Sequence, residues 1–271
     1  LHTAFFSFRN HQLAYHQTGS GPETLLLFHG FGQQALVFTV LMQTLGSRYT
    51  CYAFDLFFHG QSRWGAGDRP LEKSEWRALL QAFLTQQAVD QFSVLGFSLG
   101  GKFALATAEA LPGRVKSMFL LAPDGIKTSV WYSLATYPFA LRRFFHSMVL
   151  HPNRFEVLAK GAFRLRLIDR SLLRFVESQM DTLAKRQLVY NAWVVFRHLK
   201  FNIPALARQI EYHGIKVRIL VGEYDRVIQP QNMQPLARHA SHCEVKVLPV
   251  GHNGLIDYAT KNIEILLSSD C

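Results

Sequence analysis

The chain has 271 residues, 49% of them hydrophobic and 18% charged, with a formal net charge of +10. That length can bury a sizeable core, and that composition excludes a disordered or collagen-like chain. Three widely spaced cysteines, Cys51, Cys243 and Cys271, with no C-x-x-C, argue against a disulfide scaffold and against a zinc site. Cys51 and Cys243 sit in apolar strand-like runs, where cysteine behaves as a small buried hydrophobe.

No apolar run reaches the roughly 18 residues of a membrane span. Leu1 to Asn10 contains His, Ser, Arg and Asn and does not read as a signal peptide. The expectation is a cytoplasmic protein. The charge is uneven: Gly125 to Arg208 carries 14 Lys+Arg and 4 Asp+Glu, while the rest balances at 15 of each. That asymmetry marks the stretch as a distinct module.

In chain order, Ala4–Phe8 and Gln12–His16 flank Asn10-His11 and predict a hairpin. Thr24–Phe28 is continuously apolar, as in a strand buried on both faces of a sheet. It runs into His29-Gly30-Phe31-Gly32, then a helical stretch to about Leu45. Tyr49–Asp55 is the next strand. Ser74 opens a helix with Glu75 in its first turn. Phe92–Phe97 is a strand, and Lys102–Leu111 a helix-like run. Val115–Ala122 is a further strand, ending at Pro123-Asp124-Gly125.

The alternation then stops. About 80 residues read as helical, broken at Pro138, Pro152 and Pro204. Lys216–Val221 restores a strand that ends in Gly222-Glu223-Tyr224-Asp225. A helix follows Pro230, Glu244–Val250 is the last strand, and Ile256–Leu267 is a closing helix. Alternating strands and helices predict a doubly wound, mostly parallel α/β sheet. The domain boundaries expected are 1–124 with 209–271 for the core and 125–208 for an inserted helical module.

Gly96-Phe97-Ser98-Leu99-Gly100 is a G-x-S-x-G turn between a strand and a helix. Small neighbours let the chain bend tightly and leave room for a substrate. Serine needs a base to take its proton, and the base needs a carboxylate to fix its tautomer. Ser98, Asp225 and His252 each end a strand, which is where such sheets place their sites. Asp124 also ends a strand and is the rival carboxylate, although Pro123-Asp124-Gly125 equally makes a good turn.

With these features the chain resembles the α/β-hydrolase fold family over nearly its whole length outside the insertion. The matching segments are His29-Gly30, Gly96 to Gly101, Gly222 to Asp225 and Gly251-His252. Asp55-Leu56-Phe57-Phe58-His59-Gly60-Gln61-Ser62 resembles a further family segment. It departs at Phe58, where a glycine is usual, and at Phe57, where arginine is frequent. Two phenylalanines there predict an apolar wall near the pocket.

The resemblance implies Ser98 as nucleophile, His252 as general base and then acid, and Asp225 as orienting carboxylate. It implies an oxyanion hole of the Phe31 and Leu99 N–H groups. The helix dipole at Leu99 favours an anion there. His29 reads as packing for the oxyanion loop, and His59 as structural. Relatives that cleave epoxides or carbon–halogen bonds use Asp at the elbow, so Ser98 favours an acyl-enzyme. No metal-ligand spacing and no phosphate loop occurs, and no cofactor is implied.

The resemblance also implies that the insertion is a cap over the site. Phe139, Leu141, Phe144, Phe145, Met148 and Val149 approximate one apolar face, and Leu172, Phe175 and Val176 continue the style. Trp131, Tyr132, Tyr137, Phe139 and Trp193 are candidate pocket liners, against the alternative of ordinary cap core. An apolar pocket suits an acyl chain or aromatic group. The cap's charge reads as a solvated face, as attraction for an anionic substrate, or as peripheral contact with an anionic membrane. A basic helical stretch without a recognition motif argues against nucleic acid.

The expected partner is therefore a small acyl substrate, and the expected activity a serine hydrolase acting on a carboxylic ester or related acyl bond. A carbon–carbon bond hydrolase, a lyase on an anionic substrate and a non-catalytic binding protein are the alternatives on this scaffold.

Overall fold

The computed structural model describes residues 2–127, 130–167, 170, 173, 177, 178 and 180–267. Leu172, Phe175, Val176 and Cys271 lie outside the described residues, as does the side chain of Trp131. The chain forms two compact units. The first comprises Leu1–Gly67, Glu72–Lys127 and Leu199–Cys271, and the second Asp68–Leu71 and Thr128–His198.

The first unit is built on an eight-stranded sheet in the order β1-β2-β4-β3-β5-β6-β7-β8. β1 (Thr3–Phe8) and β2 (His11–Thr18) form the expected hairpin, turning through Arg9 and Asn10. β2 also pairs antiparallel with β4 (Tyr49–Phe54). The remaining pairs are all parallel, through β3 (Glu23–Phe28), β5 (Phe92–Phe97), β6 (Val115–Leu121), β7 (Lys216–Gly222) and β8 (Cys243–Leu248). All six residues of β5 are buried, as its continuous apolar run requires. Cys51 is buried in β4, and burial pushes its thiol up to about 12; Cys243 is raised to about 12 for the same reason.

Helices α1 (Thr39–Leu45), α2 (Lys73–Gln86) and α3 (Leu99–Ala110) belong to this unit. α2 starts one residue before Ser74, with Glu72 in the cap position and no side-chain cap. Its buried stripe is Trp76, Leu79, Leu80, Phe83 and Leu84, the spacing of an amphipathic helix. Trp76 fixes α2 against α3. Its indole N–H donates to Thr107 Oγ1 at 3.1 Å, and that hydroxyl donates to the Phe103 carbonyl at 2.7 Å. The buried polar atoms are thus satisfied while the ring packs edge-on against Phe28 and Phe103.

The second unit is helical: α4 (Val130–Thr136), α5 (Phe139–Leu150), α6 (Pro152–Arg164) and α7 (Leu183–Val195). Pro138 caps α5 and Pro152 opens α6, positions where a missing N–H costs nothing. Thr182 caps α7 by accepting from Lys185 N–H. The single apolar face expected on α5 is not found. Phe145, Met148 and Val149 are buried at helical spacing, whereas Phe139, Leu141 and Phe144 are exposed. Seven apolar side chains on three turns exceed the one stripe that a helix can bury.

The boundary also differs from 208. α8 (Ile203–Tyr212) belongs to the first unit, where Ile203, Leu206, Ala207 and Ile210 are buried and Gln209 donates to the Glu109 carbonyl. Helical periodicity carries no information about which unit a helix packs on. Conversely, Asp68–Leu71 joins the second unit: Tyr190 donates to Asp68 and Leu71 N–H to the Val195 carbonyl. After β7 come α9 (Gln234–Ala237) and α10 (Leu255–Lys261), which ends at Asn262 before α11 (Glu264–Leu267). The closing helix is therefore two pieces. Among the described residues no helix is long and apolar enough to cross a membrane.

The tightest approach in the first unit is at Gly100, where a Cβ would sit 1.8 Å from the Phe28 carbonyl oxygen. Gly100→Ala should therefore destabilise by about 4 kcal/mol or abolish folding. Gly161, inside α6 with nothing near its Cβ position, gives the opposite result. Gly161→Ala should raise stability of its helix by about 0.5–1 kcal/mol, read from urea unfolding of both variants.

Candidate active site

Four strand ends converge. β3 leads into His29-Gly30-Phe31, β5 into Ser98, β7 into Asp225 and β8 into His252. β3 and β5 are neighbours at the point where the strand order reverses, the crevice in which open α/β sheets hold ligands.

Ser98 sits at φ 52°, ψ −116°, a strained conformation for a residue with a side chain. Its neighbours hold it there. Ser98 N–H donates to the Leu121 carbonyl at 2.9 Å, which continues the β5–β6 ladder by one residue. The Ser98 carbonyl accepts from Gly101 N–H at 2.8 Å and Asp124 N–H at 2.9 Å. A Cβ on Gly96 would meet the Gly100 carbonyl at 2.4 Å, so the turn closes only with glycine on both sides. Leu99 is the first residue of α3, so its N–H has no place in the helical ladder.

The structure brings Ser98, His252 and Asp225 together. Ser98 Oγ lies 3.0 Å from His252 Nε2, and His252 Nδ1 lies 2.6 Å from Asp225 Oδ2. The carboxylate is buried, and its other oxygen accepts from Val227 and Ile228 N–H, both at 2.8 Å. With Asp225 accepting at Nδ1, the imidazole presents Nε2 as an acceptor to the serine hydroxyl. The Phe97 ring packs against the imidazole at 5.0 Å.

Asp124 is held elsewhere. It pairs with Lys102 at 2.9 Å, a lysine buried in the first turn of α3. The distances thus separate the two candidate carboxylates: Asp225 meets the histidine and Asp124 meets a cation. A lysine within an apolar helical run was the sequence signal for this pairing.

The loop that carries Phe31 is braced by His29. Its Nε2 accepts Leu56 N–H at 3.0 Å and its Nδ1 donates to the Gly30 carbonyl at 2.7 Å, which fixes one neutral tautomer. Burial, with His59 nearby, lowers its pKa to about 3. His59 is buried between His29 and Phe31, edge-on to both rings, and donates from Nδ1 to the Phe57 carbonyl. Burial lowers its pKa also. Asp55 fixes the flanking loops, accepting from Ala35 N–H and Gln61 N–H at 2.8 Å each.

The Phe57-Phe58 departure has a different consequence from the apolar wall expected. Phe57 is fully buried against Trp64 and His11, in the core. Phe58, standing where glycine is usual, takes φ 69°, the left-handed region. Sequence reading also missed the buried pair His11 Nε2–Glu75 Oε1 at 3.1 Å, in which a hairpin residue meets the first turn of α2.

Of the expected pocket liners, Tyr137, Phe139 and Trp193 lie in the second unit. Trp193 packs against Tyr132 and Phe145, Tyr137 donates to the Arg197 carbonyl, and Phe139 is exposed beneath Arg142. Among the described residues no group of three or more His, Cys, Asp or Glu could hold a metal ion.

The model for the alpha/beta hydrolase fold matches residues 23–259. The chain belongs to the α/β-hydrolase fold family. It is 31% identical over 119 residues to the dihydrolipoyllysine-residue acetyltransferase component of an acetoin cleaving system from Cupriavidus necator, covering 44% of this chain and 31% of that protein. It is 30% identical over 116 residues to a pimeloyl-[acyl-carrier protein] methyl ester esterase from Nitrosomonas europaea, covering 42% and 43%. Each match thus spans less than half of the curated relative. A thermophilic esterase from Thermogutta terrifontis has the same fold, with a TM-score of 0.70 at 19% identity over 98% of both chains.

The buried neutral His29 makes an acid limit. Its folded pKa lies below its unfolded value of about 6.5, so the stability it allows is full above pH 6.5. That stability falls as pH drops toward 3, by up to about 1.4 kcal/mol per pH unit. Urea midpoints between pH 7 and pH 4 should fall steeply for wild type and less steeply for His29→Asn; equal slopes would refute the assignment.

Proposed function

We propose that the chain is a serine hydrolase that cleaves a carboxylic ester or related acyl bond through an acyl-enzyme on Ser98. The observation that carries this reading is the unbroken relay from Ser98 Oγ to His252 at 3.0 Å and from His252 to Asp225 at 2.6 Å. Relatives named as methyl ester esterases support an ester over a carbon–carbon bond.

In this reading Ser98 Oγ attacks the carbonyl carbon and its proton passes to His252 Nε2. Asp225 stabilises the imidazolium, its own charge held by two backbone N–H groups. The carbonyl oxygen becomes an anion between the Leu99 and Phe31 N–H groups; one such donor is worth roughly 10²–10³ in rate. The tetrahedral intermediate collapses, His252 protonates the departing alcohol, and the acyl group stays on Ser98. Water then gives a proton to His252 and attacks the same carbonyl; the second tetrahedral intermediate collapses by breaking the bond to Ser98 Oγ, which takes the proton back from His252 as the acid leaves. The chain supplies nucleophile, proton carrier and anion donors, so the cycle needs no cofactor.

A fluorophosphonate probe should label wild type and leave Ser98→Ala unlabelled; equal labelling of both, or none of wild type, would sink the proposal. Against a panel of p-nitrophenyl esters, Ser98→Ala should lose about 10⁴-fold or more in kcat. Asp225→Asn should lose roughly 10³–10⁴-fold, because the amide can hold the wrong tautomer of His252. Labelling of Ser98 with no ester turnover at any chain length would point to carbon–carbon cleavage.

A further inference from the structure

We propose that the inserted unit docks on an anionic lipid surface, through α5, α6 and the residues just after α6. The first ground is exposure. Of 20 exposed large apolar side chains among the described residues, 12 fall between Leu134 and Leu183. Val157 is 74% exposed, Leu158 54% and Leu165 73%, high values for aliphatic side chains facing water.

The second ground is how α6 distributes its residues. At 100° per residue, Phe155, Leu158, Ala159, Ala162 and Phe163 share one side of the helix. Arg154 lies on one flank of that side and Lys160 on the other, while Arg164 and Val157 lie opposite it. Of the whole helix only Ala159 is buried. Ala159 is buried at the centre of that side, with Phe155 and Ala162 half-buried, so the exposed side is the one where Arg164, Val157, Arg154 and Leu158 follow one another, apolar and basic side chains interleaved as in a helix that lies flat in a lipid interface. α6 has 13 residues, and no described helix is fit to span, so the contact is with the surface and not across it.

The third ground is charge. The inserted unit, residues 68–71 and 128–198, carries 12 Lys+Arg and 5 Asp+Glu, a net of +7 out of the chain's +10. Two of its acidic residues, Glu156 and Asp181, pair with Lys160 and Lys185. Arg186 is turned inward onto the Val149 and Met180 carbonyls. Arg143, Arg154 and Arg164 form no ion pair with any described residue. Basic side chains beside exposed apolar ones match lipid headgroups above acyl chains. A second copy of this chain fits poorly, because an isologous contact would set like charges against each other. An acidic protein would engage the arginines and leave Val157, Leu158 and Leu165 in water.

The test is co-sedimentation of the full chain with vesicles of phosphatidylcholine alone and of phosphatidylcholine with phosphatidylglycerol. The chain should pellet with the anionic vesicles only, and raised salt should release it. Arg154→Glu with Arg164→Glu should weaken binding about tenfold or more. Leu158→Ser with Leu165→Ser should weaken it as well, and both pairs should keep the wild-type circular dichroism spectrum. No binding by wild type, equal binding to both vesicles, or folded variants that bind as wild type would overturn the proposal. So would a concentration-dependent dimer that Leu158→Ser with Leu165→Ser breaks. Retention on immobilised polyglutamate without vesicle binding would assign the charge to an acidic protein and overturn it too.

Discussion

The first unit depends on one buried negative charge. Asp225 lies beneath the surface, and a lone carboxylate there would be costly. Two backbone N–H groups of its own loop hold one oxygen, which leaves the other for a single outside donor, His252 Nδ1. That requirement ties the end of β7 to the end of β8. It also orients the imidazole toward β5, because only one ring nitrogen is left to face Ser98. Loop conformation and tautomer therefore follow from the same need to satisfy one anion.

A second anion shows how the same need can be met with a different outcome. Asp124 stands at the end of β6, and its backbone N–H touches the Ser98 carbonyl. Its side chain is neutralised by Lys102, which rises from the turn after the serine. The lysine is buried among apolar neighbours, a position that is tolerable only with a partner. The pair thus braces the elbow from behind while keeping a carboxylate away from the histidine.

The strands were legible in the chain because they are apolar runs stopped by glycine, proline or aspartate, as at Phe28-His29-Gly30 and Leu121-Ala122-Pro123. The serine turn was legible because crowding forces glycine at 96 and 100, and that demand is written in residue type. What was not legible depends on distance. Asp124 and Asp225 look alike as strand-end carboxylates until Lys102 and His252 are placed in space. α5 offers more apolar residues than one face can bury, and sequence does not say which three are inside. α8 has the same helical pattern as the inserted helices, so its membership in the first unit came only with packing. Phe57 followed the same rule: an aromatic beside the site in sequence turned its ring into the core.

The crowding at the elbow falls on the residues around Ser98 and not on Ser98 itself. Gly96 and Gly100 meet backbone atoms, while the side chain at 98 points into the crevice toward His252. Shape and reactivity are thereby assigned to different positions of one turn. A substitution at 98 therefore changes what faces His252 without touching the bend, whereas a substitution at 96 or 100 changes the bend itself.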